Sequence, residues 1–220
     1  MTAPTLMSGV AAPLPVANLD TDQIMPKQFL RRIDKAGLAD GLLYDLRFDG
    51  QGQPRPDFVL NQAAWRGAAV LVGGPNFGCG SSREHAVWGL QQYGFQAVIA
   101  SSFGEIFYSN AMNNRLLLVV LPEADIALLS RDAATPGANR ITIDLAAMAV
   151  QSTTHSAAFA LAARHRHMFL EGLDMIGASL LHRAAIEAFA AAHWQQQPWL
   201  QGVAARTRAR LGNTERAVPA

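Results

Sequence analysis

Three short apolar runs, residues 68–72, 96–100 and 116–121, alternate with two stretches of helical periodicity. No other feature limits the fold so tightly. Short apolar runs bounded by turn residues suit strands that are buried on both faces. The first helical stretch, 83–93, sets Ala86, Val87, Leu90 and Tyr93 on one side and stops at Gly94. The second, 103–114, sets Phe103, Ile106, Phe107 and Ala111 at helical spacing. Strand, helix, strand, helix, strand in that order implies βαβ units, hence an α/β domain with a parallel central sheet flanked by helices.

The flanking segments extend this frame. Residues 9–19 are apolar but broken by Pro13 and Pro15, and read as an edge strand entering a turn, because proline cannot donate to a sheet ladder. Residues 25–33 suit a short helix opened by Pro26. Residues 37–56 carry Gly, Asp and Pro punctuation and read mainly as irregular surface loop. A short helix over 123–130, a strand over 140–145 and a pairing strand over 149–153 follow. The rest, 157–199, is helix-rich and divided by Gly172 and Gly177. After Gly202 come Arg206, Arg208, Arg210 and Arg216, read as a frayed, solvated tail and not as a nucleic-acid arm. The expected organisation is a core over 1–155, C-terminal helices over 156–200 packed on the same domain, and a flexible tail over 201–220. No internal repeat is present.

Half of the 220 residues are hydrophobic and the net charge is +1, so the chain can bury a core but has no clustered excess of cations to track phosphates. No apolar run approaches the ~20 residues of a membrane span. The N-terminus has no basic stretch followed by an apolar one, and the expected location is cytoplasmic. The single cysteine, Cys79, excludes an internal disulfide, and also a cysteine-ligated cluster or zinc site built from this chain alone.

The chemistry concentrates in the segment Asn76-Phe77-Gly78-Cys79-Gly80-Ser81-Ser82-Arg83-Glu84-His85, between a strand and a helix. Sites in open α/β sheets form where strand carboxyl ends meet helix N-termini. Gly78 and Gly80 permit positive φ or close approach of a ligand. Ser81 and Ser82 put two hydroxyls at the helix start, where free N–H groups and the helix dipole favour an anion. Arg83 adds a planar fork suited to a carboxylate. Together these describe a carboxylate site beside a hydroxyl that preorganised positive charge could ionise. A plain N-cap by Ser82 is the bland alternative, and a serine nucleophile with His85 as base is another. The loop is neither a Walker A nor a G-x-G-x-x-G, since Arg83 stands at the third glycine position. His155, His165 and His167 lack a metalloprotease spacing and read as surface or cap residues.

The run Gly78 to His85 resembles the G-x-G-S-S-R-E-H signature of the aconitase superfamily. The longer version from Asn76 is similar to the small-subunit family of 3-isopropylmalate dehydratases. Further matches are Asn18-Leu19-Asp20-Thr21-Asp22-Gln23-Ile24, Pro26-Lys27-Gln28-Phe29-Leu30, Pro56-Asp57-Phe58-Val59-Leu60-Asn61, Tyr93-Gly94-Phe95, Ser102-Phe103, Ile106-Phe107-Tyr108, Asn113-Asn114, Gly172-Leu173-Asp174 and Ile176-Gly177. The resemblance runs in order from about Val10 to Phe189 and implies a swivelling β/β/α-type domain with a helical C-terminal region. It implies a hydro-lyase of leucine biosynthesis, acting on a small dicarboxylic hydroxy acid. It also implies a [4Fe–4S] cluster carried by a partner large subunit, without which the chain is inactive. Ser81 matches the serine base, and Ser82, Arg83 and Gly80 the substrate-binding positions. Asp20, Thr21, Asp22, Cys79 and His85 are candidates for supporting contacts, Asp20 to Asp22 equally for an Asx turn. Departures stand at Val87, where the subfamily usually has proline, at Leu46, where it has tryptophan, and at Gly74-Pro75. A hydro-lyase for 2-methylmalate or a homologous tricarboxylate stays open, as does a non-catalytic regulatory module.

Overall fold

The computed structural model describes residues 5–30, 37–81 and 83–214. In chain order these form β1 (Leu6–Leu14), α1 (Thr21–Ile24), α2 (Tyr44–Arg47), β2 (Val70–Gly73), α3 (Glu84–Tyr93), β3 (Ala97–Ala100), α4 (Glu105–Asn113), β4 (Leu117–Val120) and α5 (Glu123–Ala133). They continue with β5 (Arg140–Asp144), β6 (Ala149–Gln151), β7 (Ser156–Ala158), α6 (Ala163–Glu171), α7 (Met175–Leu180), α8 (Arg183–Gln196) and α9 (Val203–Thr214). The chain divides into two compact units, Met1–Met175 and Ile176–Ala220.

The first unit is built on a seven-stranded sheet of order β4-β3-β2-β1-β5-β6-β7. Strands β1 to β4 pair in parallel, as the alternation of apolar runs and helices requires, with crossovers through α3 and α4. Strands β5 to β7 extend the sheet antiparallel from β1. β2 and β3 are buried along their whole length, which is why they show no polar alternation. Helix α5 packs across β1, β2 and β3. Its Asp132, only 4% exposed, accepts hydrogen bonds from Ser152 Oγ at 2.6 Å, Thr154 N at 2.8 Å and Thr154 Oγ1 at 2.8 Å. The Ser152 bond, with those from Thr154, holds that carboxyl below its usual range despite burial.

Two sequence expectations are corrected here. The strand broken by prolines is not an edge: β1 lies between β2 and β5. It tolerates Pro13 because its two halves pair on different sides. Leu6 to Val10 oppose β5, whereas Ala11 to Leu14 oppose β2. Pro13 therefore lies beyond the end of β5, where no neighbour on that side asks for its missing donor. The segment 37–56 is surface loop in its second part, where 50–56 are exposed, but not in its first. Leu38, Leu42 and Leu43 are fully buried, and Arg47 ties the segment together by donating to the Ala39 carbonyl at 3.3 Å and the Leu42 carbonyl at 3.1 Å. Burial lowers the Arg47 pKa from its usual value. After Pro26 the structure has a three-residue 3-10 turn, Lys27–Phe29, and the expected helix's last residues, 31–33, lie outside the described residues.

The second unit consists of exposed helices. Residues 203–214, read from the sequence as part of the tail, are helical as α9. No helix of the described residues is long and apolar enough to cross a membrane.

Candidate active site

The glycine-rich loop leaves β2 at Gly73 and ends where α3 begins, at the carboxyl edge of the parallel strands. It is not loose. Two extended segments bracket it and continue the parallel pairing beyond the strands, through isolated bridges of Asp20 with Cys79 and of Phe77 with Phe103. On one side the Gly78 N–H donates to the Leu19 carbonyl at 2.8 Å and the Thr21 N–H to the Cys79 carbonyl at 3.0 Å. On the other the Phe77 N–H donates to the Ser102 carbonyl at 3.1 Å and the Gly104 N–H to the Phe77 carbonyl at 2.9 Å. Below, Phe77 is fully buried and packs edge-on against the Phe107 ring, centroids 5.5 Å apart. Gly104 allows the close approach: a Cβ there would stand 2.5 Å from the Gly78 carbonyl oxygen and 3.0 Å from Cys79 Cα.

Gly78 and Gly80 adopt φ of 73° and 88°, as expected of glycines in such a turn. Ser81 follows and is exposed, as a group that is to meet a ligand must be. Its carbonyl accepts from Thr21 Oγ1 at 2.8 Å, and Thr21 is itself 1% exposed. Ser82 lies outside the described residues. Arg83 is the N-cap residue of α3 and makes no side-chain cap hydrogen bond, so no cap from that residue occupies the helix mouth. Its guanidinium is ion-paired with Asp22. The three residues Asp20, Thr21 and Asp22 thus divide their work. Asp20 closes a capping box on α1, with its Oδ1 accepting from Gln23 N at 2.8 Å, while Thr21 and Asp22 reach across to the serine loop.

Other candidates serve the frame. Cys79 donates its thiol to the Asn18 carbonyl at 3.3 Å. His85 packs against Trp88, ring centroids 4.9 Å apart. Asn114 caps α4, donating to the Asn110 carbonyl at 2.9 Å and accepting from Trp88 Nε1 at 3.0 Å. The three histidines do not converge: His155 Nε2 lies 2.8 Å from Asp125 Oδ1, and His165 faces Tyr108. Among the described residues no group of three or more His, Cys, Asp or Glu could hold a metal ion. A reading of the sequence did not single out Asn18 or Ser102 for a role, although both touch the loop. Their signals were their membership of two family matches, Asn18 to Ile24 and Ser102-Phe103, and their place in loops that follow apolar strands.

Residues 1–124 match the family described as the aconitase C-terminal domain, and residues 175–203 the one described as the C-terminal domain of the 3-isopropylmalate dehydratase small subunit. The chain is 66% identical over 211 residues to the 3-isopropylmalate dehydratase small subunit 1 of Chromobacterium violaceum, covering 96% of this chain and 100% of that one. It is 45% identical over 195 residues to the small subunit 2 of Salmonella typhimurium, covering 89% and 94% of the two chains. The solved 3-isopropylmalate dehydratase of Methanocaldococcus jannaschii superposes with a TM-score of 0.60 at 27% identity, covering 83% of this chain and 98% of that one.

Proposed function

The chain belongs to the family of 3-isopropylmalate dehydratase small subunits, and from that premise we propose that it contributes the proton-abstracting side of an active site completed by a large subunit. The reaction is the interconversion of 2-isopropylmalate and 3-isopropylmalate by dehydration and rehydration, in leucine biosynthesis. The observation that carries the reading is an exposed Ser81 on a loop held from both flanks, two residues before Arg83, which starts α3 and whose guanidinium pairs with Asp22. A base must be reachable and must not wander, and this arrangement meets both demands.

In this reading Arg83, with Ser82 and the Gly80 backbone, holds a substrate carboxylate at the positive end of α3. Asp22 keeps the guanidinium at the loop until a carboxylate takes its place. Ser81, as its alkoxide, accepts the proton from the carbon next to that carboxylate. The C–H electron pair becomes the new double bond as the hydroxyl leaves the neighbouring carbon with its bonding pair, as hydroxide that takes up a proton from solvent to become water. Water then adds in the opposite sense. Donors and positive charge preorganised at the loop make the alkoxide accessible in a closed site. Cys79 is the chain's one thiol and is engaged with the Asn18 carbonyl, so this chain's donors do not fit an iron–sulfur cluster, which needs several thiolates. A [4Fe–4S] cluster, in this reading, would be held by the large subunit and would supply Lewis-acid chemistry to the assembled site. A biosynthetic pair of this kind works in the cytoplasm.

Ser81→Ala tests the assignment. In the reconstituted pair kcat should fall by about a thousandfold, within the usual range for loss of a general base, with co-elution of the two subunits intact. Wild-type turnover in that variant would take the base role away from Ser81. Assays of the same pair on 2-isopropylmalate, 2-methylmalate and a homologous tricarboxylate rank the substrates.

A further inference from the structure

The geometry points to Asn76 and Asn18 as a pair of positioning residues that set where the serine loop begins, an assignment that rests on reading Ser81 as the base. Both adopt left-handed backbone, with φ of 54° at Asn76 and 55° at Asn18. That region is uncommon for residues other than glycine, and asparagine is among the few that enter it with modest strain. Each stands shortly beyond the carboxyl end of a parallel strand, Asn18 after β1 and Asn76 after β2. Their side chains meet there: Asn76 Nδ2 donates to Asn18 Oδ1 at 2.8 Å. The Asn18 N–H donates to the Pro75 carbonyl at 2.9 Å, and the Asn76 N–H to Ser102 Oγ at 2.8 Å. Loops from three adjacent strands, β1, β2 and β3, are thereby joined at one point, immediately before Phe77 enters its fixed place in the core.

Stability does not account for this arrangement. The amide pair is exposed, and exposed hydrogen bonds contribute little net free energy. Glycine would make the same left-handed turns without strain. What the amides add is a defined entry point. From Asn76 onward the loop alternates between contacts to 18–21 and to 102–104, so a shift at its start is carried along to Ser81. Strain held at such a point is characteristic of sites where geometry matters more than stability.

The test uses Asn76→Gly, Asn18→Gly and the double variant in the pair reconstituted with its large subunit. Glycine keeps the turns available, so each variant should fold, and the thermal midpoint of the small subunit measures this directly. Each single change should lower kcat five- to tenfold with KM within twofold of wild type, and the double variant should be no slower than the slower single one. Unchanged kcat, independent multiplying losses, or losses that follow the folded fraction would each overturn the pairing. Ser81→Ala assayed alongside separates the two ideas. An inactive Ser81→Ala with unimpaired asparagine variants removes only the clasp, whereas an active Ser81→Ala removes both.

Discussion

Thr21→Val isolates one atom of the site. Thr21 is buried at 1% exposure, its N–H donates to the Cys79 carbonyl, and its hydroxyl donates to the Ser81 carbonyl at 2.8 Å. Valine has nearly the same shape and keeps the backbone bond, so the change deletes only the hydroxyl's contact. A neutral hydrogen bond contributes about 1 kcal/mol net. Because Ser81 is exposed, its released carbonyl can turn to water, and the stability loss should lie at or below that figure. In a domain of this size that is a fall in melting temperature of about 2–4 °C. The consequence at the site is larger than the consequence for the fold. About 1 kcal/mol of lost restraint lowers the population of the held geometry about fivefold, and kcat should fall by that factor with KM little changed. Thr21→Ser, which keeps the donor, should stay near wild type. Steady-state kinetics of the reconstituted pair and melting of the small subunit alone supply the numbers. A valine variant with wild-type kcat, or a serine variant as slow as the valine one, would refute the claim that this hydroxyl positions Ser81.

Arg83→Lys keeps the charge beside Asp22 but loses the fork, and KM for the dicarboxylate should rise about tenfold in initial-rate assays. Gly104→Ala puts a methyl group against the backbone of Gly78 and Cys79, where no side chain can yield. A displacement of about 1 Å at the loop should lower kcat about a hundredfold, while circular dichroism reports an intact fold. Asp132→Ala strands the Ser152 and Thr154 donors and should destabilise the first unit by about 3 kcal/mol, read as a fall in melting temperature of about 6–12 °C. Because the folded Asp132 carboxyl titrates below its unfolded value of about 4, its contribution is fully present above that pH and is lost as pH falls through the folded value. Melts taken at decreasing pH should show wild type and variant converging in acid.

The parallel strands were legible because burial on both faces leaves an unbroken apolar run, and β2, β3 and β4 each have one. The serine loop was legible as a motif. The place of β1 was not, because proline signals an edge only when both sides of a strand are paired over the same residues, and here they are not. The first part of 37–56 misled for a different reason: the chain turns at the left-handed Leu43, and three leucines face inward with no helical or strand period to announce them. Strand β7 is Ser156-Ala157-Ala158, too short and too small to show a pattern. The contacts around Ser81 join segments about sixty residues apart in sequence, as in the Thr21 bond to Ser81. Local pattern cannot reveal which loops will lie side by side once the sheet has formed.

The ladder that continues through Phe77 and Cys79 also sets a rule for altering this enzyme. Gly78, between those bridges, and Gly80, just after them, hold the turn at positive φ, so inserting or deleting one residue there would break the register of the two bridges and displace Ser81, whatever residue was added. Attempts to broaden the range of acids accepted should therefore leave the length of this stretch untouched and vary side chains elsewhere.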